Sequence, residues 1–156
     1  MNAFGAIGVA VALIAAIWLV GNAGGFAGLG GDVAGALPAT VATAIAQAIG
    51  QQEGFGVAGA RPTRNNNPGD LRNWPPGYPT DDAGFTIFPN AETGWAALEQ
   101  DIQEHAAANP GQSLQTWIGE YAPASDGNDP IGYAASVAAA VGATPETTFQ
   151  ELAVPA

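Results

Sequence analysis

Apolar residues recur at helical spacing along most of the chain after residue 37. The first such stripe predicts a helix that begins near Pro38 and reaches Glu53, where Gly54 and Gly56 end it. Its inward positions are Val41, Ala44, Ile45, Ala48 and Ile49. Glu53 is therefore predicted to lie in the last helical turn, at the start of a polar loop.

Three more helices are predicted from residues that can cap them, namely Asn90, Ser113 and Asp129. A last helix is expected to open at residues 144–146, Thr-Pro-Glu. The helix after Asp129 is expected to turn four apolar residues inward: Ile131, Ala134, Val137 and Val141. Residues 85–88, Phe-Thr-Ile-Phe, predict one short extended segment. The predicted fold class is α+β and predominantly helical.

The N-terminal part of the chain has a different pattern. Residues 3–20 are apolar and uncharged over a length sufficient to cross a bilayer, so we predict a transmembrane helix in residues 1–20. The alternatives are a signal peptide, which normally begins with a basic region, and a helix buried in a protein assembly. Residues 21–37 contain seven glycines and predict a flexible tether. Residues 38–156 are then predicted to form one domain.

Charge and composition narrow the possible partners. The net charge is −11, and the positive side chains are three arginines with no lysine, which argues against binding to nucleic acid or anionic lipid. The chain has no cysteine and one histidine, so we expect no metal or other cofactor. The arginines, Arg61, Arg64 and Arg72, fall within twelve residues of one another. Guanidinium groups pair well with carboxylates, either of a substrate or of nearby aspartates.

Glu53 is the candidate acid of this region. A carboxylate in the last turn meets the negative end of the helix dipole, and it loses solvent if Phe55 folds over it. Both effects favour the protonated form, which can donate a proton to a glycosidic oxygen. The amides of Asn65, Asn66 and Asn67 suit sugar hydroxyls and N-acetyl groups, and the turn at 68–70 would fold them toward the helix end.

The sequence Glu53-Gly-Phe followed by Arg64-Asn-Asn-Asn-Pro-Gly-Asp-Leu resembles the lysozyme-like lytic transglycosylases found among phage virion proteins. More distantly it is similar to bacterial glucosaminidases, which place a glutamate before an Asn-Asn loop. The order of motifs continues as far as residues 128–137. The resemblance covers about residues 40–152, nearly everything outside the N-terminal segment.

The resemblance implies a lysozyme-like catalytic domain in residues 38–156. The implied reaction cleaves the β-1,4 bond between N-acetylmuramic acid and N-acetylglucosamine in peptidoglycan and leaves a 1,6-anhydro end. Glu53 would act first as acid and then as base, with Tyr133 facing it across the cleft and Tyr121 as the alternative to Tyr133. We expect the substrate to contact Arg64, Asn66, Asn67, Asp70, Arg72, Phe85 and Tyr121.

Two other functions stay open. A hydrolase of the lysozyme or glucosaminidase type would ordinarily need a second carboxylate, for which Asp70, Asp81 and Asp82 are candidates. A virion or membrane structural protein could instead keep a glycan-binding lysozyme-like head without turnover. The predicted setting is a virion, with anchorage to a membrane or to the virion assembly through the N-terminal segment. The bacterial cell envelope is the alternative location.

Overall fold

The computed structural model describes residues 36–154, and helices dominate this part of the chain. The helices are α1 (Ala39–Gln52), α2 (Arg61–Arg64), α3 (Ala91–Ala108), α4 (Leu114–Tyr121), a 3₁₀ helix (Ala124–Asp126), α5 (Pro130–Ala140) and α6 (Phe149–Leu152). The predicted helix in residues 1–20 and the predicted tether up to residue 35 lie outside the described residues. Between residues 36 and 154, no helix combines the length and apolar character that a membrane span requires.

The predicted caps start three of these helices. The side chain of Asn90 accepts a hydrogen bond from Thr93 N at 2.8 Å at the start of α3. Ser113 and Asp129 accept in the same way at the starts of α4 and α5. Satisfying an otherwise unpaired N–H at these positions stabilises each helix start by about 1 kcal/mol. The polar residues that precede each apolar stripe therefore fix where the helices begin.

The prediction for the last helix is wrong at its start. Helix α6 begins at Phe149, because Thr148 and Glu151 form a capping box in which Thr148 Oγ1 accepts from Glu151 N and Glu151 Oε2 accepts from Thr148 N. Residues 144–146 form a turn instead, in which Thr144 N donates to Thr147 Oγ1 at 3.2 Å. Thr144 and Thr148 are both possible caps. The helix begins after Thr148 because this residue exchanges hydrogen bonds with Glu151.

One core joins the long helices. Helix α1 packs against α3 and α5, and α5 also packs against α4. The side chains that are fully buried between them include Ile45, Ile49, Leu98, Ile102, Ile118 and Val137. Ile131, predicted to point inward, is 72% exposed. The buried face of α5 is centred between Ala134 and Val137, and at 100° per residue Ile131 falls about a quarter turn away from it.

The predicted extended segment forms no regular strand within the described residues. Phe85 and Thr86 make isolated antiparallel bridges to Arg72 and Thr80. The opposing segment contains Pro75, Pro76 and Pro79, which have no N–H to donate to a ladder, so pairing stops after single bridges. Within the described residues, the β component of the predicted α+β class is thus reduced to isolated bridges, these two and one between Ser113 and Thr148.

The packed domain includes one residue of the predicted tether. Leu37 is 4% exposed and belongs to the core. The side chain of Gln103, on α3, accepts from Leu37 N at 3.0 Å and donates to Leu37 O at 2.9 Å. These two bonds fix the backbone of Leu37 to α3, one residue before the predicted boundary at residue 38.

Candidate active site

Glu53 lies where α1 ends. Its N–H still donates to Ile49 O at 2.9 Å, and Gly54 then adopts a positive φ of 79° that turns the chain out of the helix. The side chain is half-buried, and the Tyr133 hydroxyl of α5 donates to Glu53 Oε1 at 3.0 Å. Because α1 and α5 pack together, residues eighty positions apart in sequence meet at this carboxyl group.

The pKa of Glu53 is raised above its ordinary value, chiefly by burial. The Tyr133 hydrogen bond opposes this rise because it stabilises the carboxylate, while the negative charge of Asp70 adds to it. The Arg61 guanidinium also lowers the pKa, but it is the weakest of the four influences. Phe55, which was considered as a cover for Glu53, packs edge-on against Trp95 with ring centroids 5.2 Å apart.

The asparagine loop, residues 65–67, is held together by its own side chains. Asn67 is fully buried, and its amide donates to Leu71 O and Thr86 O and accepts from Leu71 N, each at 2.9 Å. The Asn66 amide donates to Phe88 O at 3.0 Å. Neither residue lines a cavity near Glu53. The amides predicted to contact sugar therefore serve to brace the loop, since buried polar groups need partners.

Helix α3 supports this loop from behind. Gly94, on α3, lies so close to the loop backbone that a Cβ atom there would overlap the Asn66 carbonyl oxygen. The Tyr121 hydroxyl, from α4, donates to Gly69 O. Asn66 and Asp70 take positive φ angles of 51° and 49°, which asparagine and aspartate tolerate better than most residues. Contacts from α3 and α4 thus hold the loop, and they place Asp70 near enough to Glu53 for its charge to act on that carboxyl group.

A charged cluster faces Glu53. Arg61 donates from Nε to Asp70 Oδ1 at 3.0 Å and from a terminal nitrogen to Oδ2, so the two groups form a forked ion pair. The Arg61 guanidinium carbon lies 3.4 Å from the centroid of the buried Phe85 ring, and that of Arg72 lies 4.1 Å from the same centroid. Phe85 thereby positions both guanidinium groups through cation–π contacts.

Two cavities meet at Glu53. The larger, of about 440 Å³, is lined by Glu53 together with Arg61, Asp70, Arg72, Phe85, Tyr121, Asp126 and Asn128, among others. The smaller, of about 340 Å³, is lined by Gln52, Glu53, Asn128, Asp129, Gly132, Tyr133 and Ser136. Glu53 and Asn128 belong to both linings. A chain-like ligand that filled both cavities would therefore pass the Glu53 carboxyl group.

The structure brings together most of the predicted site residues and leaves three aside. Arg64 is exposed, donates to Gly59 O and lines neither cavity. Asn66 and Asn67 also line neither cavity. The sequence reasoning also missed Arg61 and Asn128 as lining residues. Both residues lay in segments that the sequence analysis had singled out, Arg61 in the arginine cluster and Asn128 just before the helix-capping Asp129. The sequence contains no signal for the direction in which either side chain points.

Within residues 36–154 no group of histidine and carboxylate side chains is arranged to hold a metal ion. No family model, curated protein or solved structure matches the chain. The chemistry of the two cavities therefore carries the functional assignment. A carboxyl group with a raised pKa, placed where two polar cavities join, is suited to protonate a bond in a ligand that spans them.

Proposed function

We propose that the protein is a peptidoglycan lytic transglycosylase that cleaves the β-1,4 bond between N-acetylmuramic acid and N-acetylglucosamine. The observation that carries this proposal is the half-buried Glu53 carboxyl, whose pKa is raised, at the junction of the two cavities. The predominantly helical domain and the order of sequence motifs support a lysozyme-like fold. The glycan strand would lie along both cavities, with the scissile bond beside Glu53.

In the proposed reaction Glu53 gives its proton to the glycosidic oxygen as the bond from that oxygen to the muramyl C1 breaks. The 6-hydroxyl of the same muramyl residue then forms a bond to C1 and gives its proton to the Glu53 carboxylate. The result is a 1,6-anhydro ring and a regenerated acid, with no water consumed. One residue thus serves as acid and then as base.

The three aspartates predicted as catalytic partners, Asp70, Asp81 and Asp82, favour this single-acid reaction over hydrolysis. Asp70 has both oxygens engaged by Arg61, so it is poorly placed to activate water or to attack the sugar. Asp81 accepts from Asn65 Nδ2 at 2.8 Å and from the backbone N–H of Phe85 at 3.0 Å, which holds the turn before Phe85. Asp82 is exposed and lines neither cavity. Among the described carboxylates predicted as partners, each is thus occupied or distant from the cavities.

Tyr133 is proposed to orient the acid. Its hydroxyl donates to one oxygen of Glu53, which leaves the other oxygen to carry the transferable proton. The same bond stabilises the carboxylate that forms once the proton has moved. The Tyr133 hydroxyl stays protonated throughout, because burial raises its pKa far above neutrality.

A peptidoglycan hydrolase is the second candidate, and Asp126 is the observation that favours it. This exposed aspartate lines the larger cavity together with Glu53, and it has no ion pair within the described residues. A carboxylate across the cavity from the acid could activate a water molecule. The two candidates differ in their products, since hydrolysis leaves a reducing end.

The test is digestion of purified peptidoglycan, with the soluble products identified by mass. Wild-type protein should release fragments lighter by one water than hydrolysed muropeptides. Glu53→Gln keeps the shape of the side chain but has no acidic proton, so turnover should fall by at least about a hundredfold. Glu92→Gln, an exposed change outside both cavities, is the matched control and should retain activity.

Other outcomes would redirect the assignment. Reducing-end products from the wild type would favour the hydrolase and make Asp126→Asn the next variant to assay. Full activity of Glu53→Gln would remove Glu53 as the acid. A wild type that binds glycan without cleaving it would favour the non-catalytic glycan-binding module.

For the location of the protein, we propose a virion, with attachment through the N-terminal segment. Immunoblotting of purified particles tests this location, and the bacterial cell envelope is the alternative.

A further inference from the structure

We infer that the larger cavity recognises a carboxylate carried by the glycan, and that the Arg72 guanidinium is the group that binds it. This inference rests on the proposed function, since it takes a glycan strand as the ligand of the cavities. It predicts that the protein binds glycan strands that carry carboxylates more tightly than neutral, chitin-like strands.

The distribution of positive charge points to this cavity. The whole chain carries a net charge of −11 and only three positive side chains, all arginines. Two of the three, Arg61 and Arg72, line the larger cavity, whereas no arginine lines the smaller one. A strongly acidic protein repels an anionic ligand over most of its surface. The two arginines of the larger cavity therefore determine where the negative group of the ligand can bind.

The two cavity arginines are not equivalent. Arg61 is already neutralised by the forked ion pair with Asp70. Arg72 makes no ion pair with any residue between 36 and 154, and its side chain is exposed at the cavity wall. Its guanidinium is held over the Phe85 ring, 4.1 Å from the centroid, a contact that leaves the N–H groups around its edge available. Arg72 is thus the positioned cation with spare donors.

A guanidinium edge matches a carboxylate, because two parallel N–H groups can each donate to one of its oxygens. Peptidoglycan offers such groups from two sources, the lactyl ether of N-acetylmuramic acid and the peptide stem attached to it. Chitin-like strands have none. The carboxylate-bearing sugar would therefore occupy the larger cavity and the N-acetylglucosamine the smaller, which sets the direction of the strand across Glu53.

The experiment measures binding in full-length chains that also carry Glu53→Gln, so that turnover does not consume the ligand. Arg72→Gln is compared with Arg64→Gln, which removes the same charge from the same segment at an exposed position outside both cavities. The probes are a disaccharide-peptide fragment, the same fragment freed of its peptide so that the lactyl carboxylate is exposed, and each of these with its carboxylates converted to amides. Calorimetry gives the Kd of each pair.

Arg72→Gln should weaken binding of carboxylate-bearing fragments about tenfold, the loss expected for one charge-assisted hydrogen-bonded pair, and should leave the amide forms nearly unchanged. Arg64→Gln should bind all probes as the parent does, and Arg72→Lys should recover part of the preference because it keeps the charge. A loss confined to the peptide-bearing fragment assigns the carboxylate to the stem. A loss confined to the peptide-free fragment assigns it to the lactyl group, and a loss on both fragments shows that Arg72 accepts either carboxylate.

Equal losses on the carboxylate and amide forms would overturn the inference and leave Arg72 as a support for Phe85. An equal loss in Arg64→Gln would also overturn it, since the effect would then be one of net charge. The digestion assay separates these failures from failure of the proposed function. If the protein cleaves peptidoglycan but shows no preference for carboxylates, only the inference about Arg72 is wrong. If it neither binds nor cleaves any glycan, both this inference and the proposed function are wrong.

Discussion

At the scale of single residues, Tyr133 tunes the ionisation of Glu53 through one hydrogen bond. Glu53 is proposed to work as an acid, so the rate should fall as the pH rises through its pKa. The Tyr133 bond stabilises the carboxylate and lowers that pKa. In Tyr133→Phe the pKa of Glu53 should rise further, and the alkaline limb of the pH–rate profile should move to higher pH.

The same variant should lose about tenfold in kcat at its optimum, because the bond to the forming carboxylate is worth roughly 1.5 kcal/mol. Tyr121→Phe is the control: it removes the bond to the Gly69 carbonyl and leaves the limb at the wild-type position. A uniform loss of rate in Tyr133→Phe with no movement of the limb would assign Tyr133 to packing only.

The sequence predicted which segment holds the site better than it predicted the orientation of each side chain. Glu53 was identifiable because an apolar stripe stops at it and glycines follow. Asn67 was not identifiable as a brace, since an amide suits a sugar and a backbone carbonyl equally well. Its role depends on Thr86, nineteen residues away, whose carbonyl comes within 2.9 Å only after the loop closes.

At the scale of elements, the contact between α3 and the asparagine loop depends on a missing side chain. Gly94→Ala should reduce the free energy of unfolding by roughly 3 kcal/mol, because the new methyl group overlaps the backbone carbonyl oxygen of Asn66. A backbone atom, unlike a side chain, cannot avoid this overlap by changing its rotamer. Relief by displacement of the loop would also move Asp70 and reduce activity. Gly119→Ala, in α4 with open space around it, is the matched control and should stabilise by up to about 1 kcal/mol. Urea unfolding of both variants tests the pair, and similar effects would contradict this account.

The helices could be predicted from the sequence where a capping residue directly precedes an apolar stripe, as at Asn90 and Ser113. The start of α6 was missed although its cap is local, since Thr144 and Thr148 can both cap a helix and only Thr148 forms the capping box with Glu151. The segment at Phe85 did not follow because its outcome depends on the prolines opposite it. Periodicity within a segment carries no information about such pairings.

At the scale of the whole molecule, the boundary of the packed domain can be tested by truncation. A chain that begins at Ala36 should fold with the stability of the full-length domain, whereas one that begins at Pro38 should lose about 2 kcal/mol through the buried Leu37 side chain and its two bonds to Gln103. Thermal unfolding of the two proteins measures the difference. Equal melting temperatures would place the boundary at residue 38.

The hydrogen bond between Tyr133 and Glu53 also ties the proposed chemistry to completion of the fold. Glu53 belongs to α1 and Tyr133 to α5, so this hydrogen bond exists only when the two helices are packed together. In a chain from which α5 has come away, Glu53 loses part of its burial, so its pKa would lie closer to that of an ordinary glutamate. On the proposed mechanism, a copy in which α5 has not docked would therefore hold less of the protonated acid than the folded protein at the same pH, and it would cleave glycan more slowly.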